Sequence, residues 1–229
     1  MTTSPASCAS SAFVERVATN LALLRARIVS TGRDPATIRI VAVTKTFSID
    51  AVEAALSLGL TSIGENYVDE MCLKRRTVGD SVGTWHFLGA LQSNKIHQAV
   101  SCADVLSGVA RVKEIEKIAS YQRTHRLYVQ VDYTGAAGRN GAAPSEVATL
   151  VSRGRALGLD VAGLMTVAAP DAAATRAAFR SLVEMADDLG LVERSMGMSD
   201  DLEVACELGT SELRIGRALF GARAVGGPS

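Results

Sequence analysis

Apolar and polar positions follow two alternating periods along nearly the whole chain. Short apolar, β-branched runs fall at 38–44, 61–64, 84–89, 104–107, 127–133, 161–167, 195–198 and 213–215. Several are apolar on both faces, as strands buried between two layers are. Between them, apolar residues recur three and four positions apart, the period of a helix with one buried face. Phe13, Val17, Leu21, Leu24 and Ile28 form such a stripe ahead of the first strand, closed by Gly32. Asp50 with Glu53 reads as a capping box, with Gly59 at the far end of that helix. Pro144 opens a stripe through Val147, Leu150, Val151 and Leu157 that stops at Gly158, and Phe179, Leu182, Val183, Ala186 and Leu189 stop at Gly190. Eight strand-then-helix units without a Pro/Gly/Ser-rich linker predict one (β/α)8 barrel with an extra N-terminal helix. A doubly wound open sheet is the alternative. Its dinucleotide-binding form needs Gly-x-Gly-x-x-Gly after the first strand, where this chain has Thr44-Lys45-Thr46-Phe47.

Composition narrows the class further. The chain has 229 residues, with 24 basic side chains balancing 24 acidic ones. That balance argues against a general nucleic-acid or anionic-membrane binder, which carries a basic excess. No apolar run reaches the roughly 18 residues of a membrane-spanning helix. Residues 1–11 are rich in Ser, Thr and Ala and lack the Lys or Arg of a signal peptide. The sequence thus predicts a cytoplasmic protein with a disordered tail over 1–11, a barrel over 12–223 and a C-terminal tail over 224–229. Cys8, Cys72, Cys102 and Cys206 stand far apart with no Cys-x-x-Cys pair and are expected as reduced thiols. With His86, His97 and His125 also scattered, no metal site is expected.

In a barrel, chemistry collects where strands end at the carboxyl face. The first strand delivers Thr44 and Lys45 there. A lysine leaving an apolar strand is partly desolvated, which favours the free amine that attacks an aldehyde. The same lysine could instead snorkel into solvent. The seventh strand delivers Ser195-Met196-Gly197-Met198-Ser199-Asp200-Asp201 and the eighth Arg214-Ile215-Gly216-Arg217. Loops after these strands are where barrels most often hold phosphate; Gly216 admits an anion to the backbone and Ser195 offers a hydroxyl. Alternatively Ser199 and Asp200 cap the next helix and Gly216 eases a turn. Closure sets the eighth strand beside the first, so phosphate and amine would share one small ring. Pyridoxal 5′-phosphate (PLP) fits that pairing, and so does a phosphosugar held by a Schiff-base aldolase.

Several segments resemble the pyridoxal phosphate homeostasis protein family. They are Val41-Ala-Val-Thr-Lys45, Gly64-Glu-Asn-Tyr67, Trp85-His-Phe-Leu-Gly-Ala-Leu-Gln-Ser-Asn-Lys95, Gly163-Leu-Met-Thr166, Ser195-Met-Gly-Met-Ser-Asp-Asp201, and Arg214-Ile-Gly216 followed by Phe220-Gly-Ala-Arg223. The resemblance runs from about residue 13 to 223 and implies a barrel of the alanine racemase N-terminal type, PLP fold type III. It implies PLP carried as an internal aldimine on Lys45, with Asn66 lining the pocket and Ser195 and Gly216 binding phosphate. The residue after Gly216 would add its backbone N–H, and Arg214 would face the pyridine nitrogen, making the ring a weaker electron sink than an aspartate would. Two positions depart from the family pattern. Arg217 stands where Thr or Ser is usual, so a guanidinium could replace the hydroxyl with a charge-assisted bond. Arg139-Asn140-Gly141 stands where the family has Lys-x-Gly.

The remaining residues of note read more plainly. His86 is expected to be packed and hydrogen-bonded. Gln92-Ser93-Asn94-Lys95 either binds an anion beside the cofactor or caps a helix. Met165, Met196 and Met198 read as pocket walls, and 111–117 as a solvated helix face with internal ion pairs.

Three functions are weighed: a non-catalytic PLP carrier in vitamin B6 homeostasis, an amino-acid racemase, and a Schiff-base aldolase. Racemisation needs a base on each face of the carbanion. Alanine racemases take one of these, a tyrosine, from a second domain expected to be absent here. The aldolase typically bears its lysine on a later strand. The carrier is the expectation: a monomer with PLP and PLP-dependent apo-enzymes as partners, and no nucleic acid or membrane.

Overall fold

The structure is a computed structural model and describes residues 9–121 and 125–222. Cys8, Arg223, most of the expected N-terminal tail and all of the expected C-terminal tail lie outside the described residues. Eight parallel strands, β1 (Arg39–Val43), β2 (Ser62–Glu65), β3 (Thr84–Phe87), β4 (Val105–Val109), β5 (Arg126–Gln130), β6 (Asp160–Met165), β7 (Glu193–Ser195) and β8 (Glu212–Ile215), pair in sequence order. β8 closes the barrel on β1, with Val41 opposite Arg214 and Ala42 opposite Ile215. The helices are α1 (Ser11–Ser30), α2 (Ile49–Ser57), α3 (Val68–Val78), α4 (Ile96–Cys102), α5 (Val112–Ala119), α6 (Val147–Ala156), α7 (Ala172–Asp188), α8 (Leu202–Glu207) and α9 (Arg217–Phe220). The predicted (β/α)8 barrel is the observed one.

The large core lies between strands and helices. Helix α1 buries Val17, Leu21, Leu24 and Ile28, the stripe read from the sequence, and packs beside α2, α8 and α9. Phe179 and Leu182 of α7 and Trp85 of β3 are fully buried in the same core; each such side chain contributes roughly 1.5–3 kcal/mol. A second, small cluster of Val105, Tyr128, Ala162 and Met165 fills the barrel interior. At the amino end the interior is polar. Arg39 bonds Glu193 at 3.0 Å and the buried Glu212 at 3.1 Å.

Several boundaries differ from the sequence reading. Ser10 and Ser11, assigned to the tail, are the N-cap and first residue of α1; the Ser10 hydroxyl accepts from the Phe13 amide. Strand β7 runs over Glu193–Ser195 rather than 195–198. The charged pair Glu193-Arg194 hid its start, because both pair with other side chains (Arg39 and Asp187). Gly197, at φ +99°, ends it. Ser48, not Asp50, is the N-cap residue of α2, its hydroxyl donating to Asp50 rather than capping a backbone amide, and Glu53 accepts from the Ala9 amide. Glu114 is buried and accepts from the Ala110 and Arg111 amides, so 111–117 is not wholly a solvated face.

Two side-chain expectations change as well. Cys72 of α3 and Cys102 of α4 form a disulfide, with Cα atoms 5.3 Å apart, against the expectation of reduced thiols. Their 30-residue separation in sequence conceals that neighbouring helices bring them together. His86 is buried as expected but not hydrogen-bonded; its Nδ1 lies 3.7 Å from Glu212, and burial lowers its pKa. Among the described residues no helix is long and apolar enough to cross a membrane.

Candidate functional site

At the carboxyl end of the barrel a cavity of about 690 Å³ opens, within the range of small-ligand sites. Strand alternation explains its β1 wall. Arg214, paired with Val41, lines the cavity, and Val43 and Lys45 follow Val41 at steps of two on the same face. Lys45 is half-buried and lines the cavity with Asn66, Arg214, Gly216 and Arg217. The structure therefore gathers five of the six expected site residues around one space.

Ser195 is the exception. It is fully buried beneath the cavity and does not line it; its hydroxyl donates to Glu212 at 2.6 Å and accepts from Arg214 Nη1 at 2.7 Å. The hydroxyl that reaches the cavity belongs to Ser199, which accepts from the Ala218 amide at 3.1 Å and so caps α9 rather than α8. Of two serines in one word, register assigns the second to the rim. Gly216 fits the expected close approach, since a Cβ there would lie 3.2 Å from the Val43 carbonyl oxygen.

Arg214 is buried and held by Ser195 and by the Thr166 carbonyl at 2.7 Å; burial lowers its pKa. Arg217 is exposed, and its guanidinium bonds Asp200 across the cavity rim. Arg139 reaches out of its loop to the Ala168 carbonyl at 3.0 Å, joining the loops after β5 and β6. Asn140 is the member of that loop that lines the cavity, bonded to Gly108 and Gln130. Lys95 pairs with Asp69 of α3 at 3.0 Å.

Sequence reasoning missed a buried group behind Lys45. The Lys74 ammonium of α3 donates to the Thr44 carbonyl, Glu65 and Glu70, each at 2.7 Å. Burial pushes the Glu65 carboxyl up to about 7, against the pull of Lys74 and Thr44. The visible signal was a Glu70–Lys74 pair one helical turn apart, on a helix whose buried residues include Val68, Met71 and Lys74 itself.

Fold and site together define a (β/α)8 barrel of the alanine racemase N-terminal type: the family model for the alanine racemase N-terminal domain matches residues 14–224. The pyridoxal phosphate homeostasis protein of Pseudomonas aeruginosa is 39% identical, over 96% of this chain and 99% of that protein. PipY of Synechococcus elongatus, solved with PLP bound, is 31% identical with a TM-score of 0.79, covering 90% of this chain and all of PipY. Alanine racemase of Corynebacterium glutamicum, 17% identical with a TM-score of 0.73, shares the fold over 94% of this chain and 63% of its own. This chain belongs to the pyridoxal phosphate homeostasis protein family.

Proposed function

We propose that this chain binds PLP reversibly at Lys45 and serves intracellular PLP homeostasis as a carrier without robust catalysis. The observation that carries the reading is the shared cavity. Lys45 follows β1 by two residues, and Ser199, Gly216 and Arg217 face the same space from the segments after β7 and β8. The donor set fits the two ends of PLP. An amine meets the aldehyde, while a hydroxyl and the close-approaching backbone at Gly216 meet the phosphate. Bound PLP supplies an electrophilic carbon and an electron sink.

The chain's own groups then have separable roles. Lys45 would hold the cofactor, its amine condensing with the aldehyde carbon with loss of water. Asn66 lines the same cavity, and Arg214, fixed by Ser195 and Thr166, would meet the ring nitrogen with a positive group and so disfavour its protonation. Ser195 acts through Arg214 rather than on phosphate. Among the described residues lining the cavity, Lys45 and Asp200 are the side chains able to take up a proton as bases, and Asp200 is paired with Arg217. Two opposed bases for racemisation are therefore not in place there, which supports the carrier reading. A monomer that hands PLP to apo-enzymes completes the proposal.

The test is the visible spectrum of purified protein loaded with PLP, before and after borohydride, alongside Lys45→Ala. A yellow band that reduces onto Lys45 and is absent in the variant is expected. A protein that takes up no PLP refutes the cofactor reading, and rapid turnover of any L-amino acid in chiral analysis refutes the carrier reading.

A further inference from the structure

Lys45 sits in a turn whose backbone is unusual. The Phe47 amide donates to the Thr44 carbonyl at 3.0 Å, so 44–47 is a β-turn with Lys45 at its second position and Thr46 at its third. Thr46 has φ +65°, the sole positive φ at a non-glycine among the described residues. A β-branched residue disfavours that region, which turns of this kind usually fill with Gly or Asn. Something must hold the turn, and α3 supplies it. The Glu70 carboxylate accepts from the Thr46 amide at 2.8 Å. Lys74, bonded to that same carboxylate oxygen, donates to the Thr44 carbonyl. The Thr44 hydroxyl donates to Glu65 at 2.5 Å, and Glu65 also accepts from Lys74. Both residues flanking Lys45 are thus tied to one buried cluster, whose ammonium has each of its three donors engaged.

We propose that Glu70 and Lys74 are positioning residues for Lys45: they strap the turn 44–46 from behind and so aim the Lys45 amine into the cavity. Lys74 itself is no second nucleophile, because its donors are committed and it lies behind the turn rather than on the cavity wall. The inference rests on the reading of Lys45 as the residue that bonds PLP.

The experiment compares wild type with Glu70→Ala, Glu70→Gln, Thr46→Gly and Glu70→Ala/Thr46→Gly. Readouts are the PLP dissociation constant, the rate of borohydride-trapped incorporation at Lys45, and the affinity for pyridoxine 5′-phosphate. That last ligand keeps ring and phosphate but has an alcohol in place of the aldehyde, so it cannot bond Lys45. Glu70→Ala should weaken PLP binding about tenfold, the equivalent of about 1.4 kcal/mol, and slow incorporation, with pyridoxine 5′-phosphate binding unchanged. Glu70→Gln retains an oxygen acceptor for the Thr46 amide and should restore most of the loss. Glycine takes φ +65° without a strap, so Thr46→Gly should rescue Glu70→Ala and on its own label as well as wild type. Equal weakening of both ligands by Glu70→Ala, or no effect on either, overturns the proposal. If wild type itself incorporates nothing at Lys45, the Lys45 reading falls and this inference with it; wild-type labelling matched by Glu70→Ala overturns only the strap.

Discussion

Gly89 follows β3 at the cavity wall, and replacing it with alanine tests how tightly the site's backbone is packed. An added Cβ would stand 2.3 Å from the Asn66 carbonyl oxygen, 2.9 Å from the Phe87 ring and 3.1 Å from the Asn66 carbonyl carbon. Carbon and oxygen in contact stand about 3.3 Å apart, so the Asn66 peptide has to retreat by about 1 Å. Because the nearest atom is backbone, no rotamer change relieves the clash. Overpacking of this kind costs about 1–3 kcal/mol, and a backbone obstacle belongs at the upper end. At roughly 2–4 °C per kcal/mol for a chain of this size, Tm should fall by on the order of 5–10 °C. The same displacement moves Asn66, which lines the cavity proposed to take PLP, so affinity should fall as well. Gly158→Ala is the control: φ is +75° with nothing within 4 Å, leaving a backbone penalty of about 1–2 kcal/mol and PLP binding intact. Thermal melts followed by circular dichroism, with PLP titrated by fluorescence, measure both effects. If Gly89→Ala melts and binds PLP as wild type does, the close approach is not there and the argument fails.

Three further outcomes follow from the described contacts. Glu65, raised by burial from 4.5 to about 7, holds its proton more tightly in the folded state; its stabilising contribution is complete below about pH 4.5 and is lost as pH rises through 7. Urea unfolding across that range should show the slope in wild type and a flatter one in Glu65→Gln, and parallel curves would contradict it. Arg217→Thr removes an exposed ion pair worth about 0.2–1 kcal/mol, so it should change PLP affinity by less than about fivefold; a larger loss would put the guanidinium on the phosphate. Reduction of Cys72–Cys102, which closes a 30-residue separation, should destabilise the protein by about 3–4 kcal/mol, and alkylation of the protein denatured without reductant, which exposes the buried Cys206, should leave two cysteines unmodified. Full alkylation of all four would show the thiols free.

The barrel was legible because its signal is repeated. Most units pair an apolar strand with a helical stripe, and a wrong boundary in one unit leaves the others standing. Strand β7 shows the limit: Glu193 and Arg194 look like loop residues until Arg39 and Asp187 are known to meet them. Lys45, Asn66, Arg214 and Gly216 were legible because local words place them at strand ends. Ser195 and Ser199 were harder, being four positions apart in one word, and only the register of β7 decides which one sinks below the rim. Lys74 was illegible as a site residue. A lysine four residues after a glutamate in a helix reads as a solvated pair until the Glu65 carboxylate and the Thr44 carbonyl are brought to it from elsewhere in the fold. The Cys72–Cys102 bond was hidden for the same reason, since it depends on α3 and α4 lying side by side.

The pairing of β8 with β1 has a consequence for how the protein is made. Lys45 leaves the ribosome long before Arg214 and Gly216, yet all three line one cavity, set there by β1 and β8, which pair. Until the last strand docks, the first presents an open edge and an amine with no phosphate cradle beside it. A chain without its last strand thus lacks the wall that Arg214 and Gly216 give the cavity, and full ligand capture requires the closed ring. A molecule gripped from both strands in turn stabilises the closed ring over every partly open form by mass action. Abundance of the ligand would then set how long each newly synthesised copy stays shut, which couples the cell's supply of the compound directly to the lifetime of the protein that holds it.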